Sequence, residues 1–155
     1  MVLPADYSIN CDLAAQQIER IHAYLTRSYW AENIPISVVQ RSVQNSLCVG
    51  VFFRSEQVGF ARVVTDSATF AYLCDVYVLE AHRGQKLSSA ILDVLAAHPR
   101  LQNLRRFTLA TRDAHGLYAK HGFKPLSRPE SFMEIVRPGL YKELAEREAA
   151  AHLEG

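Results

Sequence analysis

The chain is poor in cysteine. Only Cys11, Cys48 and Cys74 occur in its 155 residues, an odd number with no C-x-x-C pair, so neither a disulfide framework nor a zinc knuckle is available to hold the fold. Cys48 and Cys74 fall inside apolar runs, where reduced core thiols are expected. The opening MVLPADYSIN lacks the basic flank and apolar core of a secretory signal, and no apolar stretch has the length needed to span a bilayer. Reduced thiols without an export signal set the expectation of a cytoplasmic protein with no membrane partner. Charge of one sign is scarce as well. Seventeen Lys and Arg against sixteen Asp and Glu leave a formal net charge of +1, which gives no bulk-charge reason for a nucleic-acid partner. Six histidines show no ligand spacing and H-E-x-x-H is absent, so no metal is expected. Walker A and the dinucleotide fingerprint G-x-G-x-x-G are also missing.

What is present reads as one domain over residues 1–155. Apolar residues make up 49% and charged residues 21%, a globular balance, and a chain of this length buries roughly two-thirds of its unfolded surface without a staple. Residues 12–27 show helical spacing, with Ile18, Ile21 and Leu25 at i, i+3 and i+7 and Asp12 as N-cap. Ser37 and Gln40 have the spacing of a capping box and predict a second helix ending near Asn45. Three strand patterns follow, at 47–53, 58–64 and 69–79, as an antiparallel meander whose long third strand invites a bulge. A polar loop at 80–85 then opens a helix with Leu87, Ile91, Leu92 and Leu95 on one face, stopped by Pro99. A strand at 106–111, a short helix at 114–121 capped by Asp113 and closed by Gly122, strands at 123–126 and 132–136, and a charged helix at 140–153 complete an α+β (mixed α/β) order.

Two segments carry chemistry. In the first, the strand Tyr72–Leu79 feeds a loop with Arg83 and Gly84 that opens straight into a helix. Amides at such a helix start converge with the positive end of the dipole behind them, a phosphate-binding arrangement, to which Arg83 and Lys86 add charge. A plain turn with solvated basic residues is the other reading of that segment alone. In the second, Thr111-Arg112-Asp113-Ala114-His115-Gly116-Leu117-Tyr118-Ala119-Lys120-His121-Gly122-Phe123 sets a tyrosine on a short helix that ends in Gly-Phe.

Together the two segments resemble the GNAT family of acyl-CoA-dependent N-acetyltransferases. Arg83-Gly84-Gln85-Lys86-Leu87-Ser88 stands for that family's R/Q-x-x-G-x-G/A pyrophosphate loop, and Leu117-Tyr118-Ala119-Lys120-His121-Gly122-Phe123 for its L-Y-x-x-x-G-F helix. The likeness spans residues 7–137, with the 140–153 helix as an appendage. Lys86 and Ser88 depart from the family's small residues, and Thr111 from a frequent asparagine. A lysine at a helix start is expected to need no forbidden backbone conformation, and its ammonium is a candidate partner for a phosphate. The resemblance implies a mostly antiparallel twisted sheet of about seven strands, splayed between the fourth and fifth, with about four helices and a C-terminal one around it.

It also implies acetyl-CoA as co-substrate, in a site built from Val76, Tyr77, Val78, Arg83, Gly84, Gln85, Lys86, Leu87, Ser88, Asp113 and Leu117. The pantetheine arm would lie along the strand backbone as an added strand does, with an amide near Val76 or Tyr77 facing the thioester oxygen. Tyr118 would give the departing thiolate its proton, or else be a packing tyrosine. An alkylamine with pKa ~10.4 costs on the order of 4–5 kcal/mol to deprotonate at pH 7, and Asp75, alone in an apolar strand, is either the base that helps or a structural partner for a bulge or nearby loop. On strand alternation it shares a face with Leu73 and Tyr77 unless a bulge shifts the phase. Tyr29, Trp30, Phe60 and Tyr72, with Phe70 and Glu32, are candidates for an acceptor pocket suited to a cation or aromatic amine, the alternative being core. His115 and His121 flank Tyr118. The resemblance implies a small-molecule or peptide amine as the acceptor, and the assembly is expected to be a monomer or homodimer. A CoA-binding sensor without transfer, or an enzyme whose protein partner docks on the 140–153 helix, are the competing readings.

Overall fold

The computed structural model describes residues 2–154. Among them five strands form one sheet in sequence order: β1 (Tyr7–Asn10), β2 (Leu47–Phe53), β3 (Glu56–Thr65), β4 (Phe70–Val78) and β5 (Arg106–Leu109). The first four are antiparallel and β5 runs parallel to β4. Five α-helices surround it: α1 (Ile18–Leu25), α2 (Ile36–Gln44), α3 (Leu87–Ala97), α4 (His115–Ala119) and α5 (Leu140–Glu154).

Alternation along β2 explains the layering. Leu47, Val49 and Val51 face one way, into a core with Leu87, Ile91, Leu92 and Leu95 of α3. Cys48 faces the other way, into a core with Ile21 and Leu25 of α1 and Val39 and Val43 of α2. Both sheet faces are therefore covered, and the middle strands read as continuous apolar runs.

Several expectations are corrected. Five strands stand where about seven were implied. The segments 123–126 and 132–136 form no strand: Pro125 removes a ladder donor from the first, and in the second Met133 and Ile135 point into solvent, 96% and 91% exposed. Conversely β1 pairs with β2 from Tyr7↔Phe53 to Asn10↔Gly50, a four-residue strand too short to announce itself. The first helix is split into a short turn at Leu13–Ala15 and α1. Ser37 caps nothing on α2 and hydrogen-bonds Glu148 of α5 instead. Asp113 does not cap α4; the Thr111 hydroxyl accepts from the Ala114 N–H at 3.1 Å.

The predicted bulge is present. Phe60 pairs with Tyr77 but Arg62 with Cys74, so β4 carries one extra residue between them. Asp75 sits there at φ 56°. The extra residue reverses the phase of the strand. Leu73 joins the α3 core and Tyr77 the α1–α2 core, although they are four residues apart.

Candidate active site

The site is an opening in the sheet. β4 and β5 pair only from Phe70↔Arg106 to Leu73↔Leu109, and beyond that point the last five residues of β4 have no strand on the β5 side. α4, entered from β5, and the loop after α1 close over the gap. Two cavities result. One, of about 390 Å³, is lined by Tyr29, Trp30, Tyr72, Cys74, Asp75, Arg112 and Tyr118 among others. The second, of about 730 Å³, runs along Val76, Tyr77 and Val78 to Arg83, Gly84, Lys86, Leu87 and Ser88, with Asp113 and Leu117 on the far wall. Tyr29, Trp30, Val76, Arg112, Asp113 and Tyr118 line both, and so mark the junction.

The loop between β4 and α3 has the backbone of an anion cradle. Gly84 takes φ 82°, a conformation that favours glycine. A Cβ there would meet nothing within 4 Å, so the space in front of it is open. Lys86 takes φ 60° and ψ 28° immediately before α3. That corrects the expectation of an unstrained backbone: the position where a glycine is usual in the resembled family is left-handed here, and a lysine bears it at a cost of roughly 1–2 kcal/mol. Arg83 is braced rather than loose, its Nε donating to the Val78 carbonyl at 3.0 Å and its Nη2 to the Tyr24 hydroxyl at 3.1 Å. Gln85 turns away from the groove; its amide donates to the Tyr7 hydroxyl at 2.8 Å, which in turn meets His82 Nδ1 at 2.6 Å.

Tyr118 is 8% exposed and meets Phe123 edge-on at 5.9 Å, so the Gly-Phe end of its motif fixes the ring. Burial pushes its phenol above the ordinary tyrosine range, with Tyr29 and Asp113 adding to the effect. It stays protonated at neutral pH. The thiols of Cys48 and Cys74 are pushed up to about 12, chiefly by burial, and so hold no thiolate for nucleophilic attack.

Asp75 is engaged on both oxygens. Oδ1 accepts from the Trp30 indole N–H at 2.8 Å and Oδ2 from Arg62 Nε at 2.8 Å. Arg62 also reaches the Ser46 hydroxyl at 3.1 Å. This geometry is that of a bulge carboxylate tied to a neighbouring strand and a nearby loop. Arg62 was detectable in the sequence as the one charge within the apolar run 58–64, but its pairing with Asp75 required the register.

The aromatic candidates separate. Tyr29, Trp30 and Tyr72 line the smaller cavity. Phe60 does not: it is fully buried in the α1–α2 core against Tyr77, because its register position faces those helices. Phe70 lies at the far end of β4, outside both cavities. Tyr77 contributes backbone only, since its ring stacks on Tyr24 at 4.1 Å. Glu32 lines an adjoining groove with residues 135–142, which shares Tyr29 and Trp30 with the smaller cavity, and His121 lies 3.7 Å from Asp93. Arg112 was not singled out by sequence, yet its guanidinium carbon sits 3.7 Å above the Tyr29 ring and its N–H donates to the Tyr29 hydroxyl at 3.3 Å. Among the described residues no group of His, Cys, Asp and Glu could hold a metal, and no helix is long and apolar enough to cross a membrane.

Comparison with known proteins bears on this geometry. The profile of the Acetyltransferase (GNAT) domain matches residues 44–125, which takes in the meander, the loop before α3 and Tyr118. A Gibberella zeae protein named as a candidate acetyltransferase is 31% identical over 137 residues, covering 75% of this chain and 77% of its own. The crystal structure of a candidate GNAT-family acetyltransferase from Xanthomonas campestris pv. campestris superposes with a TM-score of 0.87 at 50% identity, covering 90% of this chain and 99% of that one. A GNAT family acetyltransferase from Elizabethkingia anophelis, solved with acetyl-CoA bound, shares the fold at a TM-score of 0.61 and 13% identity, covering 88% of this chain and 92% of its own.

Proposed function

The chain belongs to the GNAT family of acetyltransferases, and from that premise we propose that it moves an acetyl group from acetyl-CoA to an amine of a small molecule or peptide. The observation that carries this reading is the junction: a buried, protonated phenol at Tyr118 faces the unpaired end of β4 where the two cavities meet.

The residues fit the co-substrate. Gly84 leaves open space at the start of α3, where the amides of 84–88 and the dipole of an eleven-residue helix favour a diphosphate. Arg83 and Lys86 add positive charge. The β5-facing edge of residues 76–78 offers backbone donors and acceptors to an extended arm, in the manner of strand addition. Held there, the thioester carbonyl meets the N–H of Val76, since the alternation that sends the Leu79 N–H to Val58 also turns the Tyr77 N–H toward β3, and negative charge developing on its oxygen is stabilised by that donor.

The amine nitrogen then forms the C–N bond as the C–S bond breaks. The amine's proton leaves through water or a carboxylate at the junction. The Tyr118 phenol gives its proton to the departing sulfur and is reprotonated from solvent. Atoms balance as amide plus free coenzyme A thiol. Asp75, spoken for by Arg62 and Trp30, acts in this scheme as a positioning residue that holds the indole on the cavity wall.

The test is thiol release from acetyl-CoA with a panel of amines, with mass spectrometry of the product. Transfer predicts one acetylated amine per thiol released. Acetyl-CoA that raises the melting temperature but never turns over would favour the sensor reading instead.

A further inference from the structure

The cavity that meets Tyr118 carries charge of both signs rather than the surplus negative charge of a simple cation site. The acid first suspected of receiving a cation, Glu32, lies on the far side of Tyr29 and Trp30, in the adjoining groove and not in this cavity, and the charge of Asp75 is matched by Arg62. What the cavity does present is Arg112. Its face is stacked on Tyr29 and its backbone is pinned by the Tyr29 hydroxyl. No carboxylate of the described residues lies within salt-bridge distance of it.

A guanidinium stacked on one face keeps its in-plane N–H groups for a partner, and that fork matches a carboxylate in bidentate fashion. Beside it, Asp113 lines the same cavity and lies close enough to Tyr118 to disfavour its ionisation. A positive group on the cavity wall and a negative one toward the phenol together make the complement of a zwitterion. We infer that the acceptor is a small amine that also carries a carboxylate, of the amino-acid class, with Arg112 binding the carboxylate and Asp113 receiving the ammonium before its proton is lost. A volume of about 390 Å³ accommodates a molecule of that size. Tyr29 is the positioning residue for Arg112, and the pair spans from the loop after α1 to the loop after β5, roofing the junction.

This inference rests on the transferase reading, and its experiment separates the two. Acetyl-CoA uptake is first measured by calorimetry. Steady-state thiol release is then compared for α-amino acids, their carboxamides and their decarboxylated amines, with the wild type, Arg112→Gln and Arg112→Lys. The amino acids should exceed their carboxamides at least tenfold in kcat/KM. Arg112→Gln should erase that difference through KM while the acetyl-CoA dissociation constant stays within about twofold, and Arg112→Lys should restore part of it. Uptake of acetyl-CoA with turnover indifferent to the carboxylate, or with no amino acid accepted, overturns this inference alone. Loss of acetyl-CoA affinity in Arg112→Gln overturns it too, by assigning the guanidinium to the co-substrate. No uptake by the wild type overturns both readings together.

Discussion

The Trp30 indole N–H donates to Asp75 Oδ1 at 2.8 Å, so the aromatic wall of the smaller cavity hangs from the residue at which β4 changes phase. Arg62 holds the other oxygen of the same carboxylate. One buried side chain thereby couples a strand bulge, a neighbouring strand and the loop after α1.

Asp75→Asn separates positioning from proton transfer. Asparagine tolerates left-handed backbone, so φ 56° carries over, and the variant removes the charge and one of the two accepted hydrogen bonds, because an amide nitrogen cannot accept from Trp30 or Arg62. It leaves Arg62, whose side chain is 18% exposed, without its counter-charge. We expect a loss of about 3 kcal/mol, read as a fall of roughly 6–12 °C in melting temperature, with the shape of the pH–rate profile kept. An unmoved melting temperature with a flattened basic rise would return Asp75 to the role of general base.

Tyr118 sets a second expectation. As the proton donor it must be neutral, and burial raises its pKa; donation therefore persists through neutral pH and is lost only above the ordinary tyrosine value of ~10. Tyr118→Phe should cut kcat on the order of 10²-fold and leave acetyl-CoA affinity within a few-fold. A basic loss of activity well below pH 10, or full turnover by the phenylalanine variant, removes the phenol from the scheme.

Lys86 carries backbone strain at φ 60°. Lys86→Gly relieves a clash of roughly 1–2 kcal/mol, partly offset by glycine's greater freedom in the unfolded chain. Its melting temperature should be equal to or slightly above that of the parent, while Lys86→Val, β-branched at positive φ, should melt lower. Calorimetry at two salt concentrations reads the other half: loss of the ammonium should weaken acetyl-CoA binding and flatten its salt dependence.

Phe60 distinguishes core from pocket. Phe60→Ala should cost about 3–5 kcal/mol in a denaturant titration and leave the acceptor KM of the folded protein unchanged. A variant as stable as the parent with an altered KM would put the ring back at the site.

Periodicity made much of this fold legible. The bounds of β2 match its apolar run residue for residue, and the α3 stripe and the closing Gly122, at φ 93°, are where their patterns put them. The tyrosine motif is local in sequence and so could be read directly. What was not legible depends on register. Asp75 meets Arg62 only because the bulge offsets β3 against β4, Phe60 is core because of the face its register assigns it, and Arg112 meets Tyr29 across 83 positions of chain. The two absent strands had apolar composition, but Pro125 interrupts the first and the second leaves Met133 and Ile135 in solvent, while the half-buried and exposed alternation of β1 is too brief to stand out.

In a crystal structure with acetyl-CoA bound, the diphosphate should lie on the amides of residues 84–88, the pantetheine arm along 76–78, and the sulfur about 3–3.5 Å from the Tyr118 hydroxyl. Density for the ligand away from the gap between β4 and β5, or a sulfur remote from that phenol, would contradict that placement.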